Sequence, residues 1–377
     1  MASSLVVIGG GIAGLTLTLS LGTEMAVEVY DQARPEKGAA LAIAPNAMQI
    51  LRELSVADAV TQSGTKVDRY QFLNQVGTVL KVLELGRVGR RYGESFWCVP
   101  RQRLIEELRD ALPITVSMRT GRLTQVAQDR GQWQLNFAEG FQREAPFLVG
   151  ADGMASVVRR SLLASEGALR FRHFIAFRAL ISMTHVPWEI HSAFQVWGEG
   201  REFGFARVNE DQVYWYATIA SQDAVLPPVG EAKGLLRQRF SDWVEPVPSL
   251  VEATTEEDIL MHAIYDRDRP PGGLSARATL IGDAAHPMTP NLGQGACQSI
   301  IDGYTLGQRL RRLNPQEAFS AYQQARWPKA AEVAYWSRTI GGAVHLEVSW
   351  LRMVRDVLFR FTPSSLLTSG LAELLAK

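Results

Sequence analysis

Cysteine is scarce. Only Cys98 and Cys297 occur in 377 residues, far apart and in no metal-ligand spacing. That leaves no disulfide framework and points to a reducing cytoplasm. No charge of one sign dominates: Lys+Arg and Asp+Glu stand at 39 each, so the chain carries no electrostatic footprint for nucleic acid. No segment reaches the roughly 18–20 uncharged apolar residues needed to span a bilayer. The opening MASSLVVIGGG has neither a basic n-region nor a signal-length apolar run. Internal repeats and low-complexity tracts are missing too. What remains is a soluble globular chain, long enough for about two domains on a prior of ~150 residues each.

Short apolar runs and glycine turns organise the chain. Residues 4–8 form a β-branched run ending at Gly9 and read as a buried strand; Leu15 to Leu21 follows as a helix and Val27 to Tyr30 as a second strand. Strand, glycine turn, helix, strand is the βαβ unit of a doubly wound sheet. Ala47 to Ala59 reads as one further helix, and Arg101 to Leu112 as another, with Leu104, Ile105, Leu108 and Leu112 at helical spacing. Ile114 to Phe137 alternates with turns, as in a small sheet, and Phe147 to Ala151 is a short apolar strand. Aromatic and β-branched residues then crowd Phe171 to Met183, Ala193 to Trp197, Glu202 to Val208 and Gln212 to Ile219. This is expected to be an inserted antiparallel sheet, with Asn209-Glu210-Asp211 as a hairpin turn. Thr279 to Ile281 resumes as a buried strand. Trp350 to Leu375 reads as one amphipathic helix, with Leu351, Val354, Leu358 and Phe361 as its apolar stripe. The expectation is a helix packed on the body; a membrane-surface helix is the alternative.

Three constellations carry chemistry. Gly9-Gly10-Gly11-Ile12-Ala13-Gly14 fits G-x-G-x-x-G between a strand and a helix. Gly9, Gly11 and Gly14 let backbone approach a pyrophosphate, and the helix start offers free N–H groups and a positive dipole end. Asp31 ends the second strand, placed to accept hydrogen bonds from an adenosine ribose; Glu28 competes but lies mid-strand. The second constellation is Gly150-Ala151-Asp152-Gly153, at a strand end before a helix, where open α/β sheets bind ligands. An Asx turn capping that helix is the alternative. The third runs LIGDAAHPMTPNLGQGAC from Leu280, and combines a lone carboxylate, a Pro-rich loop and a glycine-lined helix start.

The ordered set GGGIAG, Arg101-x-x-Leu104, LVGADGMASVVRR and LIGDAAHPMTPNLGQGACQSIIDG resembles the single-component FAD-dependent aromatic hydroxylases of the p-hydroxybenzoate hydroxylase fold, across about residues 5–330. The fold this implies is α/β: a doubly wound, Rossmann-like FAD-binding domain (1–70, 99–165 and 276–335), an inserted mostly antiparallel substrate sheet (71–98 and 166–275) and a C-terminal helical segment (336–377). The resemblance further implies that Asp283 bonds the ribityl chain and Pro290 borders the flavin. Asn291, Leu292, Gly293 and Gly295 would cradle its pyrimidine edge, and Arg101 and Asp152 would face FAD. The last motif of the family often closes Glu-Asp-Ala. Ile301-Asp302-Gly303 stands here, so a polar contact behind the loop is expected to be lost. His286 is read as a structural hydrogen-bonder and not as a base.

The implied activity is NADPH- or NADH-driven reduction of FAD, reaction with O2 to a flavin C4a-hydroperoxide, and hydroxylation of an aromatic or polycyclic small molecule of little negative charge. The nicotinamide visits transiently, since no second G-x-G-x-x-G occurs. Candidates for the substrate wall are Arg178, Gln195, Phe203, Tyr214 and Tyr216, with Phe205 on the face of Phe203; ordinary sheet packing is the alternative for each aromatic. Rival readings are an isoprenoid or alkene epoxidase, an FAD-dependent oxidase or dehydrogenase, and a non-catalytic flavin-fold binding protein. The oligomeric state is left open.

Overall fold

The computed structural model describes residues 5–32, 39–163, 168–183, 188–267 and 274–375. A five-stranded parallel sheet runs in the order Ala278–Leu280, Phe147–Gly150, Leu5–Ile8, Val27–Asp31, Ser117–Thr120. Leu5, Val6, Val7 and Ile8 are all buried, as both-sided cover of a parallel strand requires. The helix Ile12–Leu21 is buried nearly all round because it is wedged between this sheet and the helix Gly295–Leu310. Ser117–Thr120 therefore belongs to the parallel sheet, as its edge, and not to the small sheet expected after Ile114; Leu123–Asp129, Gln132–Phe137 and Gln142–Ala145 make that three-stranded meander.

The middle of the chain forms a seven-stranded sheet. Its order is Leu260–Asp266, Arg170–Ser182, Gln212–Ala220, Arg201–Arg207, Ser192–Trp197, Arg69–Asn74, Val79–Glu84. The Asn209–Asp211 turn joins two of these strands, with Val208 N–H on Gln212 O at 2.9 Å. One face of this sheet packs on the helices Ala232–Phe240 and Val247–Ala253 through Phe177, Phe203, Trp215 and Phe240. The other face looks into a cavity.

Two helices expected as single units are each broken. Ala47–Ala59 is Pro45–Glu53 followed by Ala57–Gln62, with Ser55 in the left-handed region (φ 61°) between them. Trp350–Leu375 is Ser349–Phe361 and Ser364–Leu375, split at Pro363, whose missing N–H and ring stop the first helix. The expected apolar stripe of Ser349–Phe361 is also reversed. Val354, Leu358 and Phe361 are exposed and Leu351 is half-buried. The helix meets the body through Phe359, edge-on to Phe72, and through Arg355, which sits 5.0 Å over the Trp197 ring and donates to Val344 O. Among the described residues, no helix is long and apolar enough to cross a membrane.

Candidate functional site

Pairing of the parallel strands sets the site. Ala151 N–H donates to Ile8 O (2.7 Å), and Ile281 N–H to Gly150 O (2.9 Å). These bonds align the carboxyl ends of Leu5–Ile8, Phe147–Gly150 and Ala278–Leu280, so the three motifs found along the sequence converge on one edge. Gly14 is packed against the glycine loop: a Cβ there would lie 2.0 Å from Gly9 O. The site of a Cβ on Gly11, by contrast, is open space, and Gly11 lines the cavity. Asp31 folds back against this loop, its Oδ2 3.0 Å from where a Cβ on Gly10 would be.

The cavity holds about 1090 Å³ and joins this strand edge to the open face of the seven-stranded sheet. Arg101, Asp283 and the run Pro290, Asn291, Leu292, Gly293, Gly295 line one side. Arg101 begins the helix Arg101–Asp110 and is held there by its N–H on Ala39 O at 2.9 Å. Burial lowers its pKa, opposed by the nearby Asp283. Asp283 is open to the cavity yet deep in the protein, and that setting raises its pKa against the pull of His286 and Arg101. Gly293 takes φ 62°, which turns the Pro290–Leu292 stretch into the helix Gly295–Leu310. Both polar atoms of the Asn291 side chain and Gln294 Oε1 are buried without a protein partner among the described residues. Unspent donors and acceptors beside a helix N-terminus suit the polar edge of a flavin, so the residues present fit FAD.

Asp152 is placed differently from the expectation. Its carboxylate is taken up by the helix Val157–Leu162, accepting from Ser156 Oγ (2.5 Å), Val157 N–H (2.7 Å) and Val158 N–H (3.2 Å). Its neighbours Ala151 and Gly153, not Asp152, reach the cavity. The Asx-turn alternative describes this side chain.

The contact behind the Gly-Asp loop is present, against expectation. Asp302 is fully buried and accepts from Gly282 N–H (2.9 Å) and Arg326 Nε–H (2.9 Å), and its Oδ2 meets His286 Nε2. His286 and Arg326 together hold its pKa below the usual carboxylate range despite the burial. The Ile301-Asp302-Gly303 departure changes the residues on either side and keeps the acid. His286 is thus a structural bonder. Arg159 ties the same loop from the other side, donating to Ala284 O (2.7 Å) and Ala285 O (2.5 Å).

On the sheet face, Arg178, Gln195, Tyr214 and Tyr216 line the cavity. Phe203 does not. It is fully buried on the opposite face, stacked on Trp215 at 5.2 Å and edge-on to Phe240 at 5.5 Å. Tyr70, which sequence reasoning missed, joins the wall and donates to Gln195 Oε1 at 3.1 Å. Beyond it an apolar arm runs between the sheet edge and the two C-terminal helices, lined by Phe72, Leu83, Trp197, Phe359, Leu367 and Leu371.

Comparison with known proteins agrees with this geometry. A model of the FAD binding domain family matches residues 2–337. The chain is 30% identical over 366 residues to an aurachin C monooxygenase/isomerase from Stigmatella aurantiaca, covering 96% of this chain and 94% of that protein. It is 33% identical to a 3-amino-4-hydroxybenzoate 2-monooxygenase from Streptomyces platensis, covering 93% and 90%. In fold it is similar to Klebsiella pneumoniae HpxO crystallised with FAD and uric acid: TM-score 0.91, 21% identity, 99% and 97% covered. The chain belongs to the FAD-binding-domain family and is an FAD-dependent, NAD(P)H-using aromatic monooxygenase.

Proposed function

We propose that the chain hydroxylates a neutral or weakly charged aromatic or polycyclic ring, held against Tyr70, Arg178, Gln195, Tyr214 and Tyr216, with any apolar extension lying in the arm beside Phe359 and Leu371. The observation that carries this reading is the single cavity joining the glycine edge to the sheet face. Segments 1–70, 99–165 and 276–335 would bind FAD, and 71–98 with 166–275 would supply the substrate sheet. In the first unit Gly9, Gly11 and Gly14 face the pyrophosphate, Asp31 the adenosine ribose, and Asp283 with Arg101 the ribityl chain.

When bound, FAD would supply the redox chemistry that couples NAD(P)H and O2 to ring hydroxylation, the second oxygen atom leaving as water. The chain's own residues position and protect. The amides from Asn291 to Gly295 and the N-terminus of Gly295–Leu310 put positive potential where the flavin becomes anionic. Apolar walls at Phe72, Leu83 and Trp197 keep water from the reacting centre. Among the described residues three arginines line the cavity: Arg178 on the substrate sheet, Arg101 on the strand-edge side and Arg355 on a C-terminal helix. The ring named for one relative, 3-amino-4-hydroxybenzoate, carries amino, hydroxyl and carboxylate groups, which supports a heteroatom-bearing ring here.

Anaerobic stopped-flow reduction of the FAD-loaded protein by NADPH and by NADH, with phenols, quinolones and indoles, tests the reading. Flavin bleaching by a nicotinamide, accelerated by one ring class, is expected. Bleaching by a panel compound alone, with none from either nicotinamide, would refute it in favour of an oxidase. Tight benzoate binding that disappears in Arg178→Ala would overturn the low-charge part.

A further inference from the structure

The wall that faces the proposed substrate is wired to a buried acid that the oxygen transfer does not use. Glu202 is 1% exposed, on the strand Arg201–Arg207, and accepts from Gln195 Nε2. Gln195 is itself 3% exposed, so its amide has no water to turn to. With its NH2 on the carboxyl group, its carbonyl points to Tyr70, and Tyr70 donates to it at 3.1 Å. The Tyr216 hydroxyl stands 3.4 Å from the Tyr70 hydroxyl. Its ring is laid across Gly204, where a Cβ would lie 2.2 Å from a ring carbon, so the two hydroxyls are held together.

The other end of the chain is anchored as well. His345 Nδ1 is 2.7 Å from Gly341 O, and its Nε2 is 2.7 Å from Thr218 Oγ1. A carbonyl only accepts, so Nδ1 carries hydrogen, and in the neutral ring Nε2 must accept the Thr218 hydrogen. Burial favours that neutral ring, pushing the His345 pKa down to about 4. Thr218 is fully buried and its hydroxyl meets His345 Nε2. Gln195 Nε2 donates to Glu202, so the oxygen of Glu202 that faces Gln195 is an acceptor. Arg355 and Tyr214 are further titratable groups near these side chains, and among the described residues neither makes a hydrogen bond to Gln195 or Glu202.

We propose that Glu202, acting through Gln195, fixes the hydrogen-bond polarity of the substrate wall, so that Tyr70 meets the substrate only as an acceptor. Tyr70 donates to Gln195 and Gln195 donates to Glu202, so the one hydrogen of the Tyr70 hydroxyl is spent on Gln195. The site then selects a ring that brings a donor to that edge, a phenolic O–H or a ring N–H. It selects against the same ring methylated there, or bearing a carboxylate. Glu202 is a positioning residue that acts through the Gln195 amide, and Tyr70 is the wall hydroxyl whose polarity it sets. The inference rests on the sheet face being the substrate wall.

The test uses matched probes on the FAD-loaded protein: phenol with anisole, and 4(1H)-quinolone with N-methyl-4-quinolone. Dissociation constants come from the change in flavin absorbance. The donor-bearing member of each pair is expected to bind about tenfold tighter or more, the cost of an unmet buried acceptor. Glu202→Gln keeps an acceptor for the Gln195 amide, so the preference survives. Glu202→Met frees the amide to flip, and the preference falls below about threefold. Tyr70→Phe removes the terminal acceptor without touching the acid and loses the preference too. Equal binding within pairs in the parent protein, a preference untouched in Tyr70→Phe, or its loss in Glu202→Gln would each overturn the proposal; the last would mark Glu202 as a charged base. If no ring accelerates flavin reduction, the functional reading fails. If rings accelerate it without discrimination within pairs, only the polarity argument fails.

Discussion

Replacing Asp302 by Ala isolates what the buried acid behind the Gly-Asp loop does. Asp302 takes a backbone hydrogen bond from Gly282, the residue before Asp283, and faces Arg326, itself 3% exposed. Removing the carboxylate leaves the guanidinium buried without its counter-charge, which costs about 3–5 kcal/mol. The lost bond to Gly282 overlaps with that figure and is not added to it. Urea denaturation of the flavin-free protein should register the loss, with the midpoint falling at unchanged slope. FAD affinity, read by fluorescence titration, should fall on the order of tenfold as the loop bearing Asp283 loosens. A double variant separates the two effects. Asp302→Leu with Arg326→Met replaces the ion pair by apolar groups, a change that is often neutral or stabilising. Stability should then recover while FAD affinity does not, because Gly282 N–H still lacks its acceptor. Asp302→Ala with a parent-like urea midpoint, or a double variant that recovers both properties together, would refute the reasoning.

Gly14→Ala puts a Cβ 2.0 Å from Gly9 O, so the glycine loop must move; FAD titration should show at least about tenfold weaker binding, and parent-like affinity would exclude this loop from the cofactor site. Burial raises the Glu202 pKa to about 7 from 4.5, so the folded state holds its proton more tightly than the unfolded chain and stability falls as pH rises between those values, by about 3 kcal/mol at most. Glu202→Gln should flatten that part of the urea-midpoint profile between pH 5 and 8, and parallel profiles would contradict the burial argument. His345, depressed to about 4, works in the opposite sense: its contribution is present above pH 6.5 and lost as pH falls through 4.

The cofactor side was legible because local backbone chemistry sets it. A strand followed by G-x-G-x-x-G, or by Gly-Asp and a Pro-rich turn, specifies strand end, turn and helix start within a few residues. The substrate side was legible only in part. Period-2 alternation correctly separates Phe203 from Gly204 on one strand and keeps Tyr214 with Tyr216 on the next. It does not say which face meets the cavity, because both faces of this sheet are apolar, one against Phe240 and Trp243 and the other against the cavity. Phe203 follows the ordinary-packing alternative, whereas Phe205 on the same strand reaches the cavity. The stripe Leu351, Val354, Leu358, Phe361 failed similarly: hydropathy marks an apolar face without naming its neighbour, and here Arg355 and Phe359 are turned inward instead. Tyr70, Glu202 and His345 left no signal at all. Thr218 and His345 are 127 residues apart, and Tyr70 and Gln195 are 125 apart. Only strand pairing and the length of the helix Pro315–Val344 bring them together.

That division has a consequence for how the fold is reused. The proposed flavin side would rest on backbone: glycine approach, strand-end amides and one helix start, braced from behind by Asp302 and Arg159. Few side chains can change there without a collision such as the one at Gly14. The substrate side is made of side chains projected from a sheet, and a single exchange at Tyr70, Gln195 or Arg178 changes hydrogen-bond polarity or charge without touching the core on the far face. Two proteins 30% and 33% identical to this chain over nearly its whole length are named for different molecules, aurachin C and 3-amino-4-hydroxybenzoate. If Tyr70 is the acceptor of the substrate wall, part of the choice of ring lies one layer behind the surface, where Gln195 and Glu202 take up its hydrogen.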